Sequence, residues 1–231
     1  MKRVLLKLSG EALSGPKGTG FDEATVTEVA RQICRVAAEG TQTGIVIGGG
    51  NFWRGRTSEN MQREKADQIG MLATVMNCLY VSDICRHLGL ETEIYTPFPC
   101  GSFTKTYCME EVEKDLSAGK AVFFAGGTGH PYFSTDTATV LRAVQIHAEA
   151  ILLAKAVDGI YDSDPKVNPH ARKYEEISIE QVVEQKLAAM DLTASIMCME
   201  HRIPMLVFAL EEQDSIIHAA HGSCSGTRVT V

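Results

Sequence analysis

Short apolar runs alternate along the chain with longer stretches in which apolar residues return every three or four positions. Val4 to Leu8, Gly44 to Ile47, Thr92 to Tyr95, Ala121 to Phe124, Ala150 to Ala154 and Met205 to Phe208 read as buried strands, and Thr227 to Val231 as a last one. Between them the 3.6-residue period predicts helices. The first starts at Asp22 and runs to about Glu39, with Val26, Val29, Ala30, Ile33 and Ala37 on one face, and Gly40 ends it. Others run from Gln62 to Leu88, Met109 to Ala118, Thr137 to Ala148, Ser178 to about Leu187, and Asp191 to His201. Asp22, Asp136, Ser178 and Asp191 stand where an oxygen can accept from the first helical turn. Gly10 to Gly20, with four glycines and a proline, reads as a flexible loop.

Strands that alternate with helices imply parallel pairing and helices on both faces. The expected fold is therefore α/β, a three-layer α/β/α sandwich with a mostly parallel central sheet, in one domain over 1–231. Ligands of such sheets sit beyond the carboxyl ends of the strands. Ser9-Gly10, Gly48 to Gly50, Gly126 to Gly129 and Val157 to Tyr161 all fall there, so four loops converge on one site.

A strand that runs into glycines and then a helix presents unpaired N–H groups to one spot, which favours an anion. Two separate glycine-rich strand ends suggest two phosphate groups, with Lys7 and Arg54 as cations nearby. The segment Ala125 to Thr137 adds hydroxyls at Thr128, Ser134, Thr135 and Thr137 and rings at Tyr132 and Phe133. A lysine at one strand end is ordinarily a solvated flank, and one glycine turn is ordinarily only a turn. Several together make a phosphoryl-transfer layout, because that reaction needs positioning and charge neutralisation above all.

Composition narrows the classes. The net charge of −7 argues against non-specific binding to nucleic acid or anionic membranes, so an anionic ligand must be held locally. Seven cysteines without a C-x-x-C fit a reducing, cytoplasmic setting, with Cys198 read as core. Lys7 interrupts the apolar start of the chain, against a signal peptide, and no apolar run approaches the roughly 20 residues of a membrane span. Neither G-x-x-x-x-G-K-[ST] nor a G-x-G-x-x-G after a strand occurs, which sets aside P-loop enzymes and dinucleotide dehydrogenases. Asp158 to Pro165 lacks calcium-loop spacing, and His218, His221 and Cys224 lack a fourth metal ligand and read as surface residues. The helix from Gln62 carries Ile69, Met71, Leu72, Val75, Met76, Leu79, Val81 and Ile84, a broad surface that suits core packing, with a subunit contact as the alternative. For Trp53, packing and base stacking both stay open.

Lys7-Leu-Ser-Gly10-Glu-Ala-Leu, Gly48-Gly-Gly-Asn-Phe-Trp-Arg54, Gly70-Met-Leu-Ala-Thr-Val-Met-Asn77, Gly127-Thr-Gly-His-Pro-Tyr-Phe-Ser-Thr-Asp136, Val157-Asp-Gly-Ile-Tyr-Asp-Ser-Asp-Pro165 and Met190-Asp-Leu together resemble the bacterial uridylate (UMP) kinases of the amino acid kinase superfamily. They follow the family's order through nearly the whole chain. The resemblance implies transfer of the ATP γ-phosphoryl to UMP, giving UDP for pyrimidine nucleotide biosynthesis, with Mg2+ carried on ATP and no metal-ligating residues of the protein's own. It makes Lys7, Arg54 and Asp191 catalytic, with Asp191 orienting the lysine. ATP would meet Lys7, Leu8, Ser9, Gly10, Gly50, Arg54, Lys155, Tyr161 and Asp164. UMP would meet Gly49, Asp67 through its ribose, and the run Thr128, Gly129, His130, Pro131, Tyr132, Phe133, Ser134, Thr135.

The part up to about 135 would be mainly the acceptor side and 136–231 mainly the ATP side. A homohexamer and GTP or UTP effectors are further implications, and the loop from Ser14 to Gly20 corresponds to a region that some members use for GTP regulation. Lys155 departs from the Thr or Asn frequent at its place. His130 needs no general-base role, since a phosphate monoester is already mostly dianionic at neutral pH. Two rivals remain: a kinase of carbamate or an acylamino acid, and a non-catalytic relative that stores oxyanions or senses nucleotides.

Overall fold

The computed structural model describes residues 1–53, 61–187 and 189–231. In chain order the elements are β1 (Arg3–Leu8), a 3-10 segment (Gly10–Lys17), α1 (Glu23–Ala38), β2 (Gln42–Ile47), α2 (Arg63–His87), β3 (Thr92–Thr96), β4 (Lys105–Thr106), α3 (Met109–Ser117) and β5 (Ala121–Phe124). They continue with α4 (Thr135–Gln145), β6 (Ala150–Lys155), β7 (Glu176–Ser178), α5 (Ile179–Glu184), α6 (Leu192–His201), β8 (Met205–Ala209), α7 (Ser215–Ala220) and β9 (Thr227–Thr230).

Among the described residues the strands form one sheet in the order β4-β3-β5-β2-β1-β6-β8-β9-β7. Every pairing is parallel except β8 with β9. From β1 the chain first builds outward on the β2 side and later returns to place β6 on the other side. That reversal beside the central strand leaves a crevice beyond the strand ends, the usual ligand position of an open α/β sheet.

Strand alternation divides the interior into two layers. Val4, Leu6 and Leu8 of β1 pack with Val26 and Ile33 of α1, Val75 and Cys78 of α2 and Ile216 of α7. Leu5, between them, packs to the other side with Val112 of α3, Val140 of α4, Val182 of α5 and Cys198 of α6. The period of two thus turns Lys7 toward α4, at the site end of the sheet. Burial pushes the Cys78 and Cys198 thiols up to about 12, so both are inert core groups at neutral pH.

Four local structures differ from expectation. The segment from Gly10 is no loose loop. Ser9 Oγ accepts from Ala12 N at 3.1 Å, Leu13 is buried, and the Asn51 carbonyl takes Gly20 N and Thr19 Oγ1 at 3.0 Å each. The cap of α4 is Ser134, whose Oγ receives the N–H groups of Asp136 and Thr137, and Asp136 is freed for another partner. The short elements β4, β7 and α7, of two, three and six residues, carry too few positions for a period to register. The helix from Ser178 ends at Glu184, three residues before Leu187.

Helix α2 is, by length and composition, the one helix among the described residues apolar enough to cross a membrane. Here it packs on the sheet: Met71, Val75, Cys78 and Val81 are buried, while Ile69, Leu72 and Met76 remain exposed. One part of its apolar surface is thus a core face, and another part is open.

At the start of α5 the Ser178 side chain accepts from Gln181 N at 3.2 Å, and the Gln181 side chain accepts from Ser178 N at 3.3 Å. Ser178→Ala is expected to lower global stability by about 1 kcal/mol in urea unfolding.

Candidate active site

A cavity of 580 Å³ opens beyond the ends of β1, β2, β5 and β6. At its floor the Lys7 ammonium, on a residue only 9% exposed, meets Asp136 Oδ1 at 2.9 Å. Burying a lysine is costly unless a carboxylate matches it, and the first turn of α4 supplies one. Asp191 stands one hydroxyl away. Its Oδ1 accepts from Ala194 N at 2.9 Å and caps α6, and its Oδ2 takes Ser134 Oγ and, at 3.4 Å, Thr137 Oγ1. The carboxylate in contact with Lys7 is Asp136, while the resemblance gives the orienting role to Asp191. Asp191 instead ties the start of α6 to the start of α4.

Asp136 was missed as a functional residue because its position suited a helix cap. Its signal in the sequence was there: Ser134 two residues earlier offers an equally good cap and leaves the carboxylate available.

The glycine loops are clamped by a reciprocal amide pair. Asn77, fully buried on α2, donates to the Gly48 carbonyl at 2.6 Å and to Asn51 Oδ1 at 2.8 Å. Asn51 donates back to Asn77 Oδ1 at 3.0 Å and to the Gly20 carbonyl at 2.8 Å. Gly10 sits against this pair so closely that a Cβ there would lie 2.4 Å from the Gly48 carbonyl oxygen and 2.5 Å from Asn51 Oδ1. Gly49 also lies close on α2, 2.9 Å from Ala73 Cβ and the Gly70 carbonyl by the same measure. One turn back along α2, Thr74 Oγ1 accepts from Gly126 N at 2.7 Å. A single helix thereby sets the positions of the loops after β1, β2 and β5.

The far end of the cavity is built from the start of α2 and the loop before α4. Asp67 accepts from Arg63 Nε at 2.9 and 3.0 Å and from Tyr132 N at 2.8 Å. Tyr132, at φ 72°, has its ring under the Arg63 guanidinium, 5.5 Å away, and its hydroxyl donates to Glu64. That bond raises the tyrosine's pKa and lowers the glutamate's. Trp53 Nε1 donates to the Ala66 carbonyl at 2.8 Å while its ring borders the cavity, so the residue both packs on α2 and faces the ligand space.

Of the residues expected at the site, Lys7, Ser9, Gly10, Gly49, Gly50, Asp67, Thr128, Phe133, Ser134, Thr135, Lys155 and Asp191 all border this cavity. Gly129, His130, Pro131 and Tyr132 belong to the same loop but lie outside the lining. Leu8 has its side chain in the core and offers its carbonyl to Gly48 N at 2.9 Å. Tyr161 and Asp164 are on the loop after β6, away from the cavity, where Tyr161 donates to Asp158 at 2.7 Å and Asp164 accepts from Lys166 N at 2.9 Å. Arg54 lies outside the described residues. A second cleft of 770 Å³, between the 3-10 segment, α1 and the end of β8, shares Ser9, Glu11 and Lys155 with the first.

Among the described residues no group of three or more His, Cys, Asp or Glu could hold a metal. His221 instead meets Glu39 at 2.6 Å.

A cationic floor flanked by backbone N–H loops, with a carboxylate at the opposite end, defines a site for an anionic substrate that also carries hydroxyls. The amino acid kinase family model matches residues 2–209, and the chain belongs to that family. Among solved structures it is similar to the UMP kinase from Bacillus anthracis, at 34% identity and a TM-score of 0.95 over 99% of this chain and 96% of that one. It is likewise similar to the UMP kinase from Ureaplasma parvum, at 33% identity and a TM-score of 0.94 over 100% and 99%. The uridylate kinase from Archaeoglobus fulgidus is more distant, at 27% identity and a TM-score of 0.75 with both chains covered in full.

Asn77→Ala leaves the Gly48 carbonyl and Asn51 Oδ1 without the amide that donates to them. It is expected to cost about 2 kcal/mol of stability in urea unfolding.

Proposed function

We propose that the protein is a UMP kinase, transferring the γ-phosphoryl of ATP to the phosphate of UMP to give UDP and ADP. The observation that carries this reading is the two-ended cavity: the Lys7–Asp136 pair and the glycine loops make one end fit for phosphates, and Asp67 makes the other fit for a ribose. The near full-length likeness to two UMP kinases supports it.

In this reading a phosphate oxygen of UMP attacks the γ-phosphorus in line, and the bond to the ADP oxygen breaks with its electron pair going to ADP. No proton has to move first. Lys7 neutralises charge on the transferring group, and the N–H groups around Gly10, Gly49 and Gly50 receive phosphate oxygens already in place. Asp136 holds the Lys7 ammonium forward. Asp191, through Ser134 and Thr137, fixes the turn that carries Asp136.

Thr128, Phe133 and Thr135 border the acceptor end, and Asp67 can accept from two ribose hydroxyls. Mg2+ belongs to the substrate: it comes on the ATP phosphates and neutralises their charge, and the all-oxygen carboxylates Asp136 and Asp191 at the floor are chemically suited to stand near it. Arg54, Tyr161 and Asp164 complete the ATP side in this reading, 136–231 being mainly that side.

A cytoplasmic place in pyrimidine nucleotide synthesis follows from the same reading. The exposed Ile69, Leu72 and Met76 on α2 give self-association a surface, and a homohexamer and GTP or UTP effectors remain part of the proposal.

Lys7→Ala is expected to lower kcat by about 100-fold or more in a coupled ADP-release assay while UMP still binds by calorimetry. A near-normal kcat would remove Lys7 from the chemistry. Asp67→Asn is expected to act mainly on KM for UMP, raising it about tenfold. An unchanged KM would place the ribose contact elsewhere.

A further inference from the structure

All seven cysteines are free thiols, and two of them meet across a helix pair. Cys34 on α1 places its Sγ 3.8 Å from the carbonyl oxygen of Cys85, in the last turns of α2, and donates to it. The two thiols also bond to each other. Packing brings them together: Ile33 and Val36 of α1 share one apolar layer with Cys78, Val81 and Cys85 of α2, and Cys34 packs against it.

The two members of the pair are unequal. Cys85 is fully buried, while Cys34 is half-buried and so is the one that a small solute reaches. The hydrogen bond with the Cys85 side chain lowers the Cys34 pKa, against the opposing effect of burial. The same bond, with burial added, raises that of Cys85. Since the thiolate is the nucleophile, Cys34 is the reactive member. A part-exposed thiol of lowered pKa, backed by a second thiol, is the arrangement in which oxidation ends in a reversible bond.

We propose that Cys34 and Cys85 form a peroxide-reactive dithiol, in which Cys34 takes the oxidant and Cys85 resolves it into a disulfide that staples α1 to α2. In the first step the Cys34 sulfur attacks one oxygen of a hydroperoxide, the O–O bond breaks, and the leaving oxygen departs with its electron pair and a proton. With hydrogen peroxide it leaves as water, and Cys34 becomes a sulfenic acid. In the second step the Cys85 sulfur attacks the Cys34 sulfur, the S–O bond breaks, and the hydroxyl leaves as water with the Cys85 proton. Two thiols and one hydrogen peroxide thus give one disulfide and two waters. The site is separate from the cavity, since Cys85 lies about 27 Å along the axis of α2 from Asp67.

The test treats the reduced full-length protein with one equivalent of hydrogen peroxide, then alkylates the remaining thiols and maps the peptides without reduction. Loss of two of the seven thiols is expected, with a Cys34–Cys85 linked peptide lighter by about 2 mass units that dithiothreitol restores. The oxidised protein should unfold about 5 °C higher than the reduced one. In Cys85→Ala, Cys34 should stop at the sulfenic acid and be labelled by dimedone, and in Cys34→Ser neither product should form. Half-buried Cys100, Cys108 and Cys224 are the internal controls. Oxidation of any of these three as fast as Cys34 would overturn the proposal, as would a disulfide that omits Cys34 or Cys85. A lower unfolding temperature after oxidation would also overturn it, because the helices would then have been forced out of their packing to make the bond.

Discussion

The ion pair between Lys7 and Asp136 is the contact on which the site depends. It joins the central strand of the sheet to the first turn of α4, and it places a positive charge where water is scarce. A charge so placed would be costly alone, and with its carboxylate it is fixed and oriented at no further cost when an anion arrives. The topology creates the position. β1 lies between β2 and β6 at the reversal of strand order, so its end is flanked by loops from both halves of the chain.

Around that pair side chains from α2 and from the loop after β2 hold the glycine loops in place. Asn77 and Asn51 satisfy each other and the carbonyls of Gly48 and Gly20, and Thr74 receives Gly126 N. Buried polar groups of this kind are worth little net when paired and cost much when orphaned, so they act as positional locks more than as sources of stability. All three loops answer to α2, which also carries Asp67. The distance between the phosphate end and the hydroxyl end of the cavity is thus set within one rigid helix, as a two-substrate transfer requires.

Much of this was legible in the chain. Seven strands and six helices announce themselves by their patterns, and the glycines after β1, β2 and β5 fall where a parallel sheet puts ligands. What was not legible has physical causes. The three-residue β7 and two-residue β4 are stabilised by neighbours in the sheet, not by a pattern of their own. Asn51 orders the Gly10 to Gly20 segment through contacts more than 30 residues apart in sequence, which no local composition records. Asp136 looked like a cap because capping and ion pairing draw on the same residue type, and only the facing strand decides between them. Lys155 shows the same limit: strand alternation puts it beside Lys7, but that follows only once β1 and β6 are known to be neighbours in this register.

The most direct test of the central claim is identification of the product. Purified protein with MgATP would be offered UMP, CMP, carbamate, N-acetylglutamate or no acceptor, with ADP release and acceptor phosphorylation followed together. Formation of UDP in equal amount to ADP, dependent on UMP, is the expected result. ADP release only with a carboxylate or carbamate, or tight nucleotide binding with no turnover on any acceptor, would contradict it.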